Sequence, residues 1–240
     1  MERKPETTRT AASPSLERLL IGLATALFLL GVSLKLRAPL TYWDSALLEW
    51  ALDPAPSPAP AGTSPFFLIL LKSLASLGWL EVILLRWVQA GGAVLSGIAA
   101  HLLALRLWKS PRAACLAYCL YLLHPAVVQG AHSLDMADAS YYPAFVSFWL
   151  VAFIAPGPGG WRRSLRLAGW GALAMGWKTT SSLGLLLFAF PAVWRGIRGP
   201  NEGWGDFFST CAGLALFSAL WWPLQGWETA QASAGIAAES

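Results

Sequence analysis

Seven apolar stretches with few charges take up about half of this chain, at residues 19–34, 81–108, 113–128, 141–155, 165–177, 181–194 and 207–222. A helix needs about 20 mostly apolar residues to cross the hydrocarbon core of a bilayer, fewer if it is short or re-entrant. Charged residues make up only 12% of the 240, against about 25% in soluble domains. That is too few to cover a water-soluble globule, and the mean hydropathy is +0.52. The 14 tryptophans fit a residue that gathers at membrane–water interfaces. The expected class is an all-α, polytopic helical membrane protein with about seven transmembrane helices. Collagen, a disordered tail, a disulfide scaffold and a nucleic-acid-binding module do not fit, so no nucleic-acid partner is expected.

The charge pattern gives the expected orientation. Arg3, Lys4, Arg9 and Arg18 precede the first span, and Arg106, Lys109, Arg112, Arg162, Arg163, Arg166, Arg195 and Arg198 fall in the linkers on the same side. Lys35, Arg37, Lys72, Arg86 and Lys178 are left for the other side. An excess of Lys and Arg marks the cytoplasmic side, which predicts an N-in, C-out layout. Residues 1–18 form a cytoplasmic tail, 19–222 the transmembrane module and 223–240 an extracytoplasmic tail. The first span reads as an uncleaved anchor, because no small-residue cleavage site stands out after it. Residues 35–80 form an outer loop with interfacial helices, one of them near 65–80 and carrying Lys72.

Acidic residues concentrate on that outer side: Asp44, Glu49, Asp53, Glu81, Asp135, Asp138, Glu228 and Glu239. The stretch Tyr42-Trp43-Asp44-Ser45-Ala46-Leu47-Leu48-Glu49-Trp50 reads as a short amphipathic helix on the membrane surface, with Trp43, Leu47 and Trp50 on its apolar face. Asp44 would stand at its start, where its carboxylate either caps the helix or acts as a general base, partly desolvated by its aromatic neighbours. A second cluster, His132, Asp135 and Asp138, recurs every third residue. Such a set could hold a divalent cation, but the spacing matches no specific metal motif. A cap on the following helix is the plainer reading, so no metal or other cofactor is assigned. Lys178 lies between two short apolar runs, beside Thr179, Thr180, Ser181 and Ser182. It either snorkels to headgroups or holds a lipid phosphate. Cys115 and Cys119, four apart in an apolar run, read as packing residues. His124-Pro125 marks a kink or a helix end, and Gly91, Gly92, Ser96 and Gly97 make a small-residue packing face.

The order of these features resembles the GT-C glycosyltransferases that use polyprenyl-phosphate-linked sugars. The nearest likeness is to the family of protein O-mannosyltransferases, lipid A aminoarabinose transferases and RgtA/B/C/D-like proteins. It rests on Tyr42-Trp43-Asp44, Ser64-Pro65-Phe66-Phe67-Leu68, Leu85-Arg86-Trp87, His124-Pro125, the acidic turn with Asp135, and Met175-Gly176-Trp177-Lys178-Thr179. It runs from about Leu19 to Trp222. The resemblance implies a bacterial inner-membrane enzyme of the cell envelope. Such an enzyme moves a sugar from a polyprenyl-phosphate carrier to a lipid, protein or glycan acceptor on the extracytoplasmic face. It implies Asp44 as base, Lys178 and Arg86 as donor-phosphate ligands, and Glu49, Asp135, Asp138 and His132 in support. Two departures stand out. Family members commonly carry an acidic pair where Ser45 follows Asp44 here, and they usually continue beyond the seventh span. Those departures favour an alternative, a non-catalytic membrane subunit or scaffold that keeps the fold alongside partner subunits.

Overall fold

The computed structural model describes residues 14–53, 64–134, 137–154, 160–178, 185 and 204–220. Every element among them is helical, with no strand. The helices are α1 (Pro14–Leu34), α2 (Tyr42–Leu52), α3 (Pro65–Ser76), α4 (Val82–Trp108), α5 (Pro111–Leu122), α6 (Pro125–Gly130), α7 (Ala137–Ile154) and α8 (Trp161–Trp177). A ninth, α9, spans residues 204–220.

A capping residue followed by proline starts three of these helices. Ser64, Ser110 and His124 each accept a hydrogen bond from a backbone N–H of the first turn, and Pro65, Pro111 and Pro125 follow them. Proline is suited to the first helical position because its missing N–H would have no intrahelical partner there. The His124-Pro125 break therefore divides one apolar run into α5 and α6. At about 1.5 Å per residue, the 12 residues of α5 rise only about 18 Å. The C-cap of α4 is Lys109, in the left-handed region at φ 51°, and its N–H closes the helix onto the Leu105 carbonyl. Ser110 opens α5 immediately afterwards.

Among the described residues, two helices are long and apolar enough to cross a membrane, Leu16–Leu34 within α1 and Val82–Trp108. Helix α1 leaves Leu19, Leu23, Leu30 and Leu34 more than half exposed, a continuous apolar face of the kind that lipid covers. Pro65–Ser76 and Ser140–Ile154 are shorter apolar helices. The stretch at 181–194 lies almost wholly outside the described residues, as do residues 1–13 and 223–240, and α1 begins at Pro14, inside the expected 1–18 tail.

Helix α4 is central, packing most extensively on α7 and then on α5, while α7 also packs on α8 and α1 on α5. Small residues allow the close approaches: a side chain at Gly92 would collide with the Tyr141 ring, and one at Gly97 would press on Tyr118. Gly91 faces open space, so the small-residue face is narrower than the sequence suggests. The Cys115 and Cys119 thiols point at the α1 carbonyls of Glu17 and Leu20, at 3.7 and 3.8 Å, which is the packing role expected of them. Helices α8 and α9 run parallel: Arg163 pairs with Asp206, Gly213 abuts Ala168, and Ser218 reaches Met175.

Candidate functional site

At one end of the bundle, α2, α3, the start of α4, Leu134 and the end of α8 close over a single apolar cluster of Leu47, Trp50, Phe67, Leu71, Leu85, Leu134 and Trp177. Ser64 donates a hydrogen bond to the Gly176 carbonyl at 3.1 Å. Lys72 donates to the Asp53 carbonyl at 2.9 Å and lies over the Trp50 ring. Two short helices are thereby strapped across the bundle as a cap.

Asp44 is at the centre of this cap and is 1% exposed. It is not the N-cap of α2 but the third helical residue of a capping box. Thr41 Oγ1 accepts from the Asp44 N–H at 3.1 Å, and the Asp44 carboxylate accepts from the Thr41 N–H at 3.2 Å. Its other oxygen accepts the Leu134 N–H at 2.7 Å, joining positions 90 residues apart. The buried face of α2 is therefore Asp44, Leu47, Trp50 and Ala51, while Trp43 is 59% exposed. The Trp43–Leu47–Trp50 face expected from the sequence is rotated by one residue. The reason is electrostatic: a buried N–H at Leu134 needs an acceptor, and Asp44 supplies it. Glu49 is exposed, away from this contact.

Arg86 is also 1% exposed. Its Nε donates to the His132 carbonyl at 3.1 Å, and Nη1 donates to the carbonyls of Lys35, Leu36 and Ala38 at 3.3, 2.5 and 2.9 Å. The guanidinium thus gathers the chain leaving α1 and the turn after α6 onto the first turn of α4. One helical turn further along, Gln89 Nε2 donates to the Leu134 carbonyl at 3.3 Å. Arg86 was expected to be a phosphate ligand, but these four bonds go to backbone carbonyls.

His132 belongs to the turn following α6 and not to a helix, so it does not share a helical face with Asp138. Its imidazole is 9% exposed and neither ring nitrogen has a partner. Burial, with the Lys35 and Arg86 charges, holds its pKa below the ordinary histidine value. Asp135 and the side chain of Asp138 lie outside the described residues. Among the described residues, no group of three His, Cys, Asp or Glu side chains could hold a metal ion. Lys178 is exposed at the C-cap of α8, close enough to Tyr142 for its charge to act on the phenol. It follows an aromatic stack in which Trp177 lies 4.3 Å from the Tyr141 ring and 6.4 Å from that of Phe145.

The site therefore brings Asp44, Arg86, His132 and Lys178 to one end of the bundle. Sequence reasoning missed Gln89 and the Leu134 N–H. The signal for Gln89 was its spacing: polar residues three apart in an apolar helix, Arg86 and Gln89, share a side and need partners there. No protein-family model matches the chain, nor does any curated protein or solved structure.

Proposed function

We propose that this chain is a seven-span, N-in/C-out membrane module that transfers a sugar from a polyprenyl-phosphate carrier at its capped, outer end. One observation carries the reading: residues spread over more than 130 positions, Asp44, Arg86, His132 and Lys178, lie at the end closed by α2 and α3. The parallel course of α8 and α9 supports the span count, since parallel neighbours require a returning crossing between them. In this reaction an acceptor hydroxyl attacks the anomeric carbon. The bond from that carbon to the phosphate oxygen breaks, and the hydroxyl proton passes to Asp44. Lys178, exposed at the end of α8, meets the leaving phosphate. A carboxylate has about four lone-pair sites, so Asp44 can accept a further proton donor once the cap admits an acceptor. Apo geometry commonly tightens only in the substrate complex.

A second reading, a non-catalytic subunit with this architecture, is favoured by a specific feature. Asp44 and Arg86 are already engaged in holding the cap. The deciding measurement is sugar transfer from labelled polyprenyl-phosphate donors in membranes. A general base contributes about 10²–10⁴-fold, so Asp44→Asn should lose at least that factor, beyond what its change in thermal stability explains. Lys178→Ala should weaken donor binding by about 1.5–3 kcal/mol, with partial rescue by Lys178→Arg. A parent protein that transfers from no donor while folding normally selects the subunit reading.

A further inference from the structure

Midway along α4 the packing encloses polar atoms that the sugar-transfer reading does not use. Ser96, 1% exposed, donates its hydroxyl to the Ser140 carbonyl of α7 at 2.6 Å. The Ser140 hydroxyl, 2% exposed, has no hydrogen-bonding partner. The Tyr121 hydroxyl of α5 lies beside Ser96, buried and also without a properly directed bond. Ser96 thus touches both neighbouring helices, reaching the Ser140 carbonyl of α7 and lying beside the Tyr121 hydroxyl of α5. On the cap side, the Tyr141 ring lies against Gly92 and its hydroxyl donates to the Val88 carbonyl.

Unsatisfied polar groups are costly when buried, and more so where the surroundings are hydrocarbon. The surrounding residues include Gly92, Ala93 and Gly97, whose small side chains leave α4 no second donor or acceptor to offer. A buried water needs two to four polar partners. This junction offers that number: Tyr121 can donate, the Ser96 oxygen still has acceptor capacity, and Ser140 can do either.

We propose that the α4–α5–α7 junction is an internal water site, with water bridging Tyr121, Ser96 and Ser140 inside the helical bundle. The ligand is water and not an anion or a metal, because the three groups are neutral hydroxyls and the described residues include no carboxylate in contact with them. The site links the two largest packing interfaces of the molecule through a shared hydrogen-bond partner. It belongs to the bundle and is independent of sugar transfer.

The test is a pair of measurements on the full-length protein in detergent or nanodiscs. Microsecond X-ray radiolysis generates hydroxyl radicals from bound water and oxidises the side chains beside it. Tyr121 should be oxidised well above Tyr118, which is buried in the same helix with its hydroxyl paired to Thr25 at 2.8 Å. Thermal unfolding of Tyr121→Phe and Ser140→Ala supplies the second readout. Bridging water predicts that each variant lowers the melting temperature and that the double variant loses less than the sum. If both substitutions raise the melting temperature, or if Tyr121 is oxidised no faster than Tyr118, the junction is dry and the proposal fails.

Discussion

His132 is a buried imidazole facing two cations, and this gives the cap a definite pH dependence. Burial first, then Lys35 and Arg86, lowers its pKa from the usual 6.5, so the folded cap binds a proton less readily than the unfolded chain. The sign follows from linkage: the stabilisation is complete above pH 6.5 and is lost as the pH falls from there through the lowered native value. Melting curves from pH 7.5 to 5 should show a falling melting temperature, and His132→Gln should flatten that slope. A parent and variant with identical profiles would contradict the buried neutral imidazole. Thr41 offers a second residue-scale test. Removing its capping hydroxyl in Thr41→Ala should cost about 0.5–2 kcal/mol, read as lower thermal stability, with α2 more rapidly exchanging its amide hydrogens. The place of Asp44 near the start of a short helix was legible from the sequence. Its partner was not, because an N–H 90 residues away leaves no local trace in the sequence.

Helix boundaries were the most legible features, since Ser-Pro and His-Pro pairs start helices for a local reason. Pairing between helices was less so. Arg163 and Asp206, at the starts of α8 and α9, form a bidentate ion pair at 2.7 and 2.8 Å, and Arg163 also donates to the Phe153 carbonyl. Arg163 was read from the sequence as one of the inner-side cations, with no partner assigned to it. Burial raises the Asp206 pKa despite the adjacent guanidinium. Its contribution is therefore fullest below the ordinary carboxylate value and declines as the pH rises through the native one. Breaking a buried pair by removing one partner costs about 3–5 kcal/mol, whereas replacing both by apolar residues is often neutral. Asp206→Leu alone should thus be strongly destabilising, and adding Arg163→Met should recover most of the loss in a thermal double-mutant cycle. The α8–α9 crossing gives a steric counterpart. A side chain at Gly213 would strike the Ala168 backbone, while one at Gly169 would meet open space. Gly213→Ala should lose about 1–3 kcal/mol by overpacking, and Gly169→Ala should hold or gain stability.

At the scale of the whole molecule, the expected orientation can be tested with single cysteines in a chain whose native cysteines are serine. Glu49 lies exposed in the cap and Arg166 lies exposed near the start of α8. Glu49→Cys should react with an impermeant maleimide on intact cells, and Arg166→Cys only after the membrane is opened. The reverse pattern would invert the layout and remove the outer-face reaction with it. Charge asymmetry was enough to expect this orientation, whereas the architecture of the cap depends on contacts between distant segments. Arg86 is the clearest case, because its carbonyl partners lie 46 to 51 residues away in opposite directions along the chain. During synthesis, the guanidinium emerges after residues 35–38 but well before His132. The first strap can therefore be tied while the chain is still on the ribosome, and the second must wait until α5 and α6 are in place. The order of translation thus lets the first strap of the cap form before the segment that supplies the second exists.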